Sequence, residues 1–142
     1  MKVWQVMTRP VQAVEPADTL RTAAEQMRAV NAGSIPVVDG SMPVGVITDR
    51  DIVVRAIALG HDPDTATVSD VMSDDVQSCM PDTTVEEAAE QMKQHQIRRL
   101  VVVNERRELV GIVSLGDLAQ EADERLTGET LEAVSEPAPP LP

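Results

Sequence analysis

The chain states one pattern twice. Val6-Met7-Thr8 opens a stretch that closes on Gly45-Val46-Ile47-Thr48-Asp49-Arg50-Asp51, and Val71-Met72-Ser73 opens one that closes on Gly111-Ile112-Val113-Ser114-Leu115-Gly116-Asp117. At a constant offset of 65, Val6–Asp39 and Val71–Asn104 share 13 identities in 34 positions, against about two expected at roughly 6% per position from average composition. A tandem repeat of about 60 residues restricts the chain to two equivalent units and imposes approximate symmetry on any site it builds. One such copy alone would be marginal, whereas 142 residues bury roughly 68% of their unfolded surface. The two copies are therefore expected to share one core.

Each copy reads as strand, helix, strand, strand, helix, an α/β (α+β) pattern. In the first, Val11–Val14 is a short apolar stretch ended by Glu15-Pro16. Asp18 or Thr19 caps a helix whose apolar residues Leu20, Ala23, Ala24, Met27 and Val30 recur at helical spacing. Ile35–Val38 and Val44–Thr48 are strands joined by a Gly-containing turn, and Asp49 or Asp51 opens a second helix ending at Gly60. The second copy repeats this with Val76–Cys79, a helix through Val85, Ala88, Ala89 and Met92, strands Leu100–Val103 and Leu109–Val113, and a helix from about Leu115. The expected division is repeat 1 over residues 1–66, repeat 2 over 67–125 and an acidic, Pro-rich tail over 126–142 that is expected to be disordered.

Composition removes several function classes. The net charge of −12 opposes a nucleic acid partner, because phosphate-backbone binding needs a basic surface. Trp4 is the only aromatic residue, so there is no platform for base stacking. No apolar run approaches the roughly 20 residues that cross a bilayer, and the N-terminus lacks a secretory signal; no membrane partner is expected and the location is expected to be cytoplasmic. Cys79, the only cysteine, stands where the first copy has Val14 and reads as a small buried hydrophobe. His61 and His95 occupy non-equivalent positions without a Cys/His cluster, so no metal site is expected. No nucleophile–base pair recurs at the motifs, and no catalysis is expected. Met7, Met27, Met72 and Met92 fall at equivalent positions and read as packing.

The recurring Gly-x-x-Thr/Ser-x-x-Asp, at 45–51 and 111–117, sits at a strand-to-helix junction in both copies. Glycine permits close backbone approach, a hydroxyl beside a helix start suits an anion, and the Asp can accept two hydrogen bonds from a vicinal diol. The same residues also suit plain capping, with Thr48 and Ser114 as N-caps and Asp51 and Asp117 answering the helix dipole. Spacing does not separate the two readings.

The order Val-Met-Thr, Pro-x-x-Thr-Leu, Ser-Ile-Pro-Val-Val-Asp, Gly-Val-Ile-Thr-Asp-Arg-Asp-Ile resembles a cystathionine-β-synthase (CBS) domain, and the chain over residues 4–122 resembles a tandem CBS pair. Thr-Asp-Arg-Asp-Ile-Val-Val-Arg-Ala and the two-repeat length resemble stand-alone bacterial CBS proteins, including the hypoxia-response type. The resemblance implies two pseudo-symmetric β-α-β-β-α repeats packed as a pair, forming a non-catalytic regulatory module whose clefts take adenosine-containing ligands. It implies one cleft from Ser114 and Asp117 with Thr19 and Ala32-Gly33-Ser34. The other would draw on Thr48 and Asp51 with Thr84 and Ile97-Arg98-Arg99.

In that scheme the Asp holds the ribose, and backbone near Gly33 or Arg98 reads the adenine edge. Arg98 and Arg99 suit bidentate phosphate contacts, and a polyphosphate nucleotide is expected at the Asp51 cleft. No cofactor is required. AMP, ADP, ATP or S-adenosylmethionine is the expected ligand class, an unidentified regulated protein the expected partner, and a homodimer through the Leu20–Val30 and Val85–His95 helices the expected assembly. The competing class is a ligand-free interaction module.

Overall fold

The computed structural model describes residues 1–9 and 11–121. Its helices start where hydroxyl residues cap them. Thr19 opens α1 (Leu20–Val30) by accepting from the Thr22 N–H, and Thr84 opens α4 (Val85–His95) by accepting from the Glu87 N–H. Both helices end on a left-handed non-glycine residue, Asn31 at φ 54° and Gln96 at φ 55°. Ala32 N–H then bonds to the Met27 carbonyl, and Ile97 N–H to the Met92 carbonyl, each at 3.0 Å. Repeat equivalence thus extends to the backbone of the helix ends.

After α1, β1 (Ser34–Asp39) pairs antiparallel with β2 (Met42–Thr48), with Ile35 opposite Ile47 and a bulge between Val37 and Val38. The turn needs Gly40, at φ 68°. α2 (Asp49–Arg55) follows directly on β2. It ends at Arg55 rather than at Gly60; the chain tightens into a 3-10 turn at Ile57–Leu59, and Gly60 terminates that turn at φ 83°. α3 (Val68–Val71), β3 (Ser78–Cys79), α4, β4 (Arg99–Val103) and β5 (Leu109–Ser114) complete the sequence, and residues 115–121 are helical. In the second sheet the order is β3-β4-β5, with β3 parallel to β4.

The expected strand at Val11–Val14 reduces to one parallel bridge. Val14 donates to the Pro36 carbonyl and accepts from Val38 N–H. Glu15-Pro16 then turns the chain before a second pair can form.

The buried apolar residues form two clusters rather than the single shared core that chain length suggested. One joins Val14, Leu20, Ala23, Met27, Ile35, Val37, Ile47 and Ile52 to Val68 and Val71. The other joins Cys79, Val85, Ala88, Met92, Leu100, Val102, Val113 and Leu118 to Val3. Each cluster therefore borrows from the opposite repeat. Among the described residues the chain divides accordingly into a first-repeat unit, 11–77 with Arg106–Leu109, and a second-repeat unit, Met1–Arg9 with Ser78–Glu105 and 110–121. Exchange of the Val-Met-Thr and Val-Met-Ser segments is the physical reason: each supplies apolar side chains that the other repeat's sheet needs.

Among α1's apolar residues, Leu20, Ala23 and Met27 are buried, while Ala24 and Val30 are exposed. Cys79 lies in the core, and burial pushes its thiol up to about 11. Met27 and Met92 are buried, and Met7 and Met72 pack against the clusters. His61 and His95 are exposed. The tail expected to be disordered, 126–142, lies outside the described residues.

Candidate functional site

The recurring motif folds into the same local device in both units. Thr48 Oγ1 accepts from Asp51 N–H at 3.0 Å, and Asp51 Oδ2 accepts from Thr48 N–H at 2.9 Å. Ser114 and Asp117 repeat this reciprocal pair at 3.0 and 2.9 Å. These are capping boxes with Asp in the place usually held by Glu or Gln. Each fixes the hydroxyl and the carboxylate by two bonds across one turn. Each Asp spends only one oxygen on the cap, and an ionised carboxylate has roughly four acceptor positions. Asp51 stays 18% exposed, with its Oδ1 at 3.8 Å from Arg55 Nη1, whose own hydrogen bond goes to the Val71 carbonyl.

The glycine of the motif serves the fold in both copies. A Cβ on Gly45 would lie 2.7 Å from the Ser73 carbonyl oxygen and 2.9 Å from Met72 Sδ. A Cβ on Gly111 would lie 2.6 Å from Met7 Sδ and 3.3 Å from the Thr8 carbonyl oxygen. The close approach that glycine permits is thus made by the chain itself. Val46 exchanges two 2.9 Å hydrogen bonds with Ser73, and Thr8 exchanges bonds of 2.7 and 3.1 Å with Ile112. The Val-Met-Thr/Ser segments are the strips that dock on these glycines.

The segment before each hairpin meets the following helix start. Asp49 N–H donates to the Gly33 carbonyl at 2.9 Å, and Leu115 N–H donates to the Arg98 carbonyl at 2.7 Å. The first-repeat unit thereby gathers Ala32, Gly33 and Ser34 beside Thr48 and Asp51, and the second gathers Ile97, Arg98 and Arg99 beside Ser114 and Asp117. Ala32, Gly33, Ser34 and Ile97 are half-buried, while Arg98 and Arg99 are exposed.

Thr19 and Thr84 are both helix caps. Thr19 is bridged to Thr67 and Thr84 to Lys2. Glu87, which completes the Thr84 box, has its carboxyl held below the usual range, chiefly by the Thr84 backbone N–H and then by its side chain.

Sequence reasoning placed Asp49 only as a possible helix opener and not among the site residues. Its carboxylate packs on Gly33, where a Cβ would meet Oδ2 at 2.9 Å. It also lines a groove of about 410 Å³ with Asn31, Ala32, Gly33, Ile52 and Val53. The available signal was the asymmetry between copies, since Asp49 corresponds to Leu115, which packs on the second core. Also missed was a further capping box, Thr67 with Asp70, which opens α3.

Among the described residues no group of three or more His, Cys, Asp or Glu could hold a metal ion, and no helix is long and apolar enough to cross a membrane. Residues 3–57 and 68–124 each match the CBS domain. The chain belongs to the CBS-domain family. It is similar to the CBS domain-containing protein YhcV of Bacillus subtilis, 47% identical over 117 residues that cover 82% of each chain.

It is likewise similar to hypoxic response protein 1 of Mycobacterium tuberculosis, 35% identical over 133 residues covering 93% of this chain and 92% of that protein. A crystal structure of Hypoxic Response Protein I with two coordinated zinc ions superposes with a TM-score of 0.77 at 34% identity, covering 84% of this chain and 98% of that one. A CBS domain protein of Pyrobaculum aerophilum complexed with AMP superposes with a TM-score of 0.74 at 29% identity, covering 82% and 89%. The resemblance read from the motifs is therefore borne out, as is the α+β fold of paired CBS repeats. Nucleotide binding is a property of relatives of this chain.

Proposed function

We propose that the chain is a non-catalytic regulatory module that binds an adenosine-containing nucleotide and passes its occupancy to a partner protein, acting as a cytoplasmic homodimer. The observation that carries this reading is the duplicated turn. In both units a hydroxyl and a carboxylate are locked by reciprocal bonds with carboxylate acceptor capacity to spare; the strip that abuts them is half-buried in the first unit, and in the second it runs from half-buried Ile97 to exposed Arg98 and Arg99. A pre-fixed acceptor binds a ribose diol without an ordering cost at the moment of binding.

In this reading Asp51 and Asp117 hold ribose hydroxyls, and backbone at Ala32–Ser34 and Ile97–Arg99 reads the base. Thr19, Thr48, Thr84 and Ser114 supply hydroxyls to the ligand. Arg98 and Arg99 take the phosphates. Because the Arg98 carbonyl is tied to the Leu115 N–H, this reading moves the phosphates from the Asp51 cleft expected from the sequence to the Ser114–Asp117 turn. AMP, ADP, ATP and S-adenosylmethionine all present the required adenosine.

The capping boxes also favour one rival: if the caps are all that Thr48, Asp51, Ser114 and Asp117 do, the chain is a ligand-free interaction module. A thermal-shift panel of these four ligands separates the two, run on the native chain, Asp51→Asn, Asp117→Asn and the double variant Arg98→Ala/Arg99→Ala. Asn keeps a carbonyl oxygen for the cap while losing the charge. A ligand at 100 times its Kd adds about 2.7 kcal/mol, raising Tm by roughly 5–10 °C at this size. A shift lost in one Asp variant supports the sensor. No shift for any ligand, with all variants folded, leaves the interaction module.

A further inference from the structure

The seven methionines of the chain fall into three environments. Met1, Met42 and Met80 are between 41% and 46% exposed, whereas Met27 and Met92 are buried, at 6% and 1%. Met7 and Met72, equivalent in the two copies, stand between these groups. Both are half-buried, and both lay their sulfur on the glycine of the recurring motif. Met7 Sδ comes within 2.6 Å of where a Gly111 Cβ would stand, and Met72 Sδ within 2.9 Å of where a Gly45 Cβ would stand. The two docked strips are thus seated in part by a thioether that solvent can reach. A leucine of similar volume would pack there as well, but a thioether can take up an oxygen and later release it.

We propose that Met7 and Met72 are sites of reversible oxidation to the sulfoxide, and that oxidation undocks the Val-Met-Thr/Ser strips from the strands they cover. The oxidant class is a hydroperoxide. Its terminal oxygen bonds to Sδ as the O–O bond breaks; the sulfur gives up two electrons, and the other oxygen leaves with the proton as water or an alcohol. Two thiols of a sulfoxide reductase reverse the step, closing a disulfide and releasing water. The inference goes beyond nucleotide binding and does not rest on it.

Close packing is what turns oxidation into undocking. Neither sulfur leaves room for a methyl group on its glycine, so an oxygen on that side of Sδ does not fit. An oxygen on the opposite side is strongly polar and needs a donor. The backbone N–H groups around it are already bonded: Met7 and Met72 donate to the Val3 and Val68 carbonyls, Thr8 and Ser73 to Ile112 and Val46, which donate back to the strips. The sulfoxide is hydrated by turning outward, and that withdraws the side chain from the apolar cluster it packs against. Val46 and Ile112 stand two residues before Thr48 and Ser114, so a released strip loosens the strands that lead into both capped turns. Cys79 competes poorly for the oxidant. It is buried, and burial pushes its thiol up to about 11, which leaves little of the reactive thiolate at neutral pH.

Treating the full chain with hydrogen peroxide, and following each methionine by peptide mass spectrometry, tests the proposal. Met1, Met42 and Met80 are expected to oxidise first, without changing Tm. Met7 and Met72 are expected to follow, at least tenfold faster than Met27 and Met92, with Tm falling in step. Hydrogen exchange at the Thr8 and Ser73 amides should then quicken at least tenfold, and methionine sulfoxide reductase with dithiothreitol should restore both readouts. The double variant Met7→Leu/Met72→Leu keeps the volume and should hold its Tm through the same treatment while Met42 and Met80 still oxidise. Should that variant fail to fold, the site-resolved rates and amide exchange of the native chain decide by themselves. Oxidation of Met7 and Met72 no faster than that of Met27 and Met92 would overturn the sites. Their oxidation with Tm and amide exchange unchanged would overturn the undocking. An equal loss of Tm in the leucine variant would place the damage at other sulfurs, and would equally overturn the proposal.

Discussion

Replacing Gly45 with alanine should cost far more than replacing its repeat-equivalent Gly111, although the sequence motif around the two is nearly the same. The Gly45 Cβ would stand 2.7 Å from the Ser73 carbonyl oxygen, so the two atoms must separate by roughly half an ångström. That oxygen cannot yield freely. It accepts from Val46 N–H at 2.9 Å while Ser73 N–H donates to the Val46 carbonyl at 2.9 Å, so moving the strip loosens both bonds. Two weakened hydrogen bonds at about 1 kcal/mol each, added to an overpacking cost of about 1–3 kcal/mol, give roughly 3–5 kcal/mol. At this chain length that lowers Tm by about 6–18 °C.

At Gly111 the nearest atoms are Met7 Sδ at 2.6 Å and Cγ at 3.2 Å, with the Thr8 carbonyl at 3.3 Å. A methionine side chain can swing aside, so about 1 kcal/mol and a few degrees are expected. Calorimetry on both variants measures the difference, and a double-mutant cycle identifies its source. Met7→Ala should recover most of the Gly111→Ala loss, whereas Met72→Ala should recover little of the Gly45→Ala loss. Equal costs at the two glycines, or full rescue of Gly45→Ala by Met72→Ala, would refute the assignment of the larger penalty to backbone.

Two further outcomes follow from local geometry. Thr48→Ala and Ser114→Ala each remove an N-cap acceptor and should cost about 1 kcal/mol in urea unfolding, with Thr48→Ser nearly neutral. The Cys79 thiol, pushed by burial from 9.0 to about 11, favours its neutral form in the folded chain. Its contribution is therefore complete below pH 9 and declines as the pH rises toward 11. Cys79→Ala should flatten that part of the stability profile, and native Cys79 should resist thiol reagents at pH 8 until the chain unfolds.

The repeat, both long helices and all four hairpin strands were legible because each depends on periodicity and local capping. Leu20, Ala23 and Met27 mark α1's buried stripe, and Thr19 and Thr84 mark its start and α4's. Ala24 and Val30 fitted the same helical spacing yet face outward, because spacing alone cannot set the width of a buried stripe. The parallel bridge at Val14 was overestimated as a strand, since pairing length depends on a partner that the local sequence does not reveal. The hydroxyl–carboxylate pairs were legible as pairs, and the structure adds that all are capping boxes. The docking of Met7 and Met72 on Gly111 and Gly45 was not legible. Which unit a segment joins is decided by long-range packing, and both copies carry the same segment in front of the same sheet. Asp49 was legible only as a helix opener for a related reason: the second copy has Leu115 in its place, so the repeat did not mark it as a groove residue.

The exchange of end segments sets a timetable for biosynthesis. Val3 belongs to the core formed by α4, β4 and β5, so the first nine residues leave the ribosome long before the surface they cover exists. About 105 residues separate Arg9 from Ser114, and at roughly 5–20 residues per second that strip waits some 5–20 s without its partner. A cut at the repeat boundary would leave neither fragment with a whole interior, so the halves could work only by complementing each other. What the sequence writes as two successive phrases, the folded chain completes as two interleaved ones.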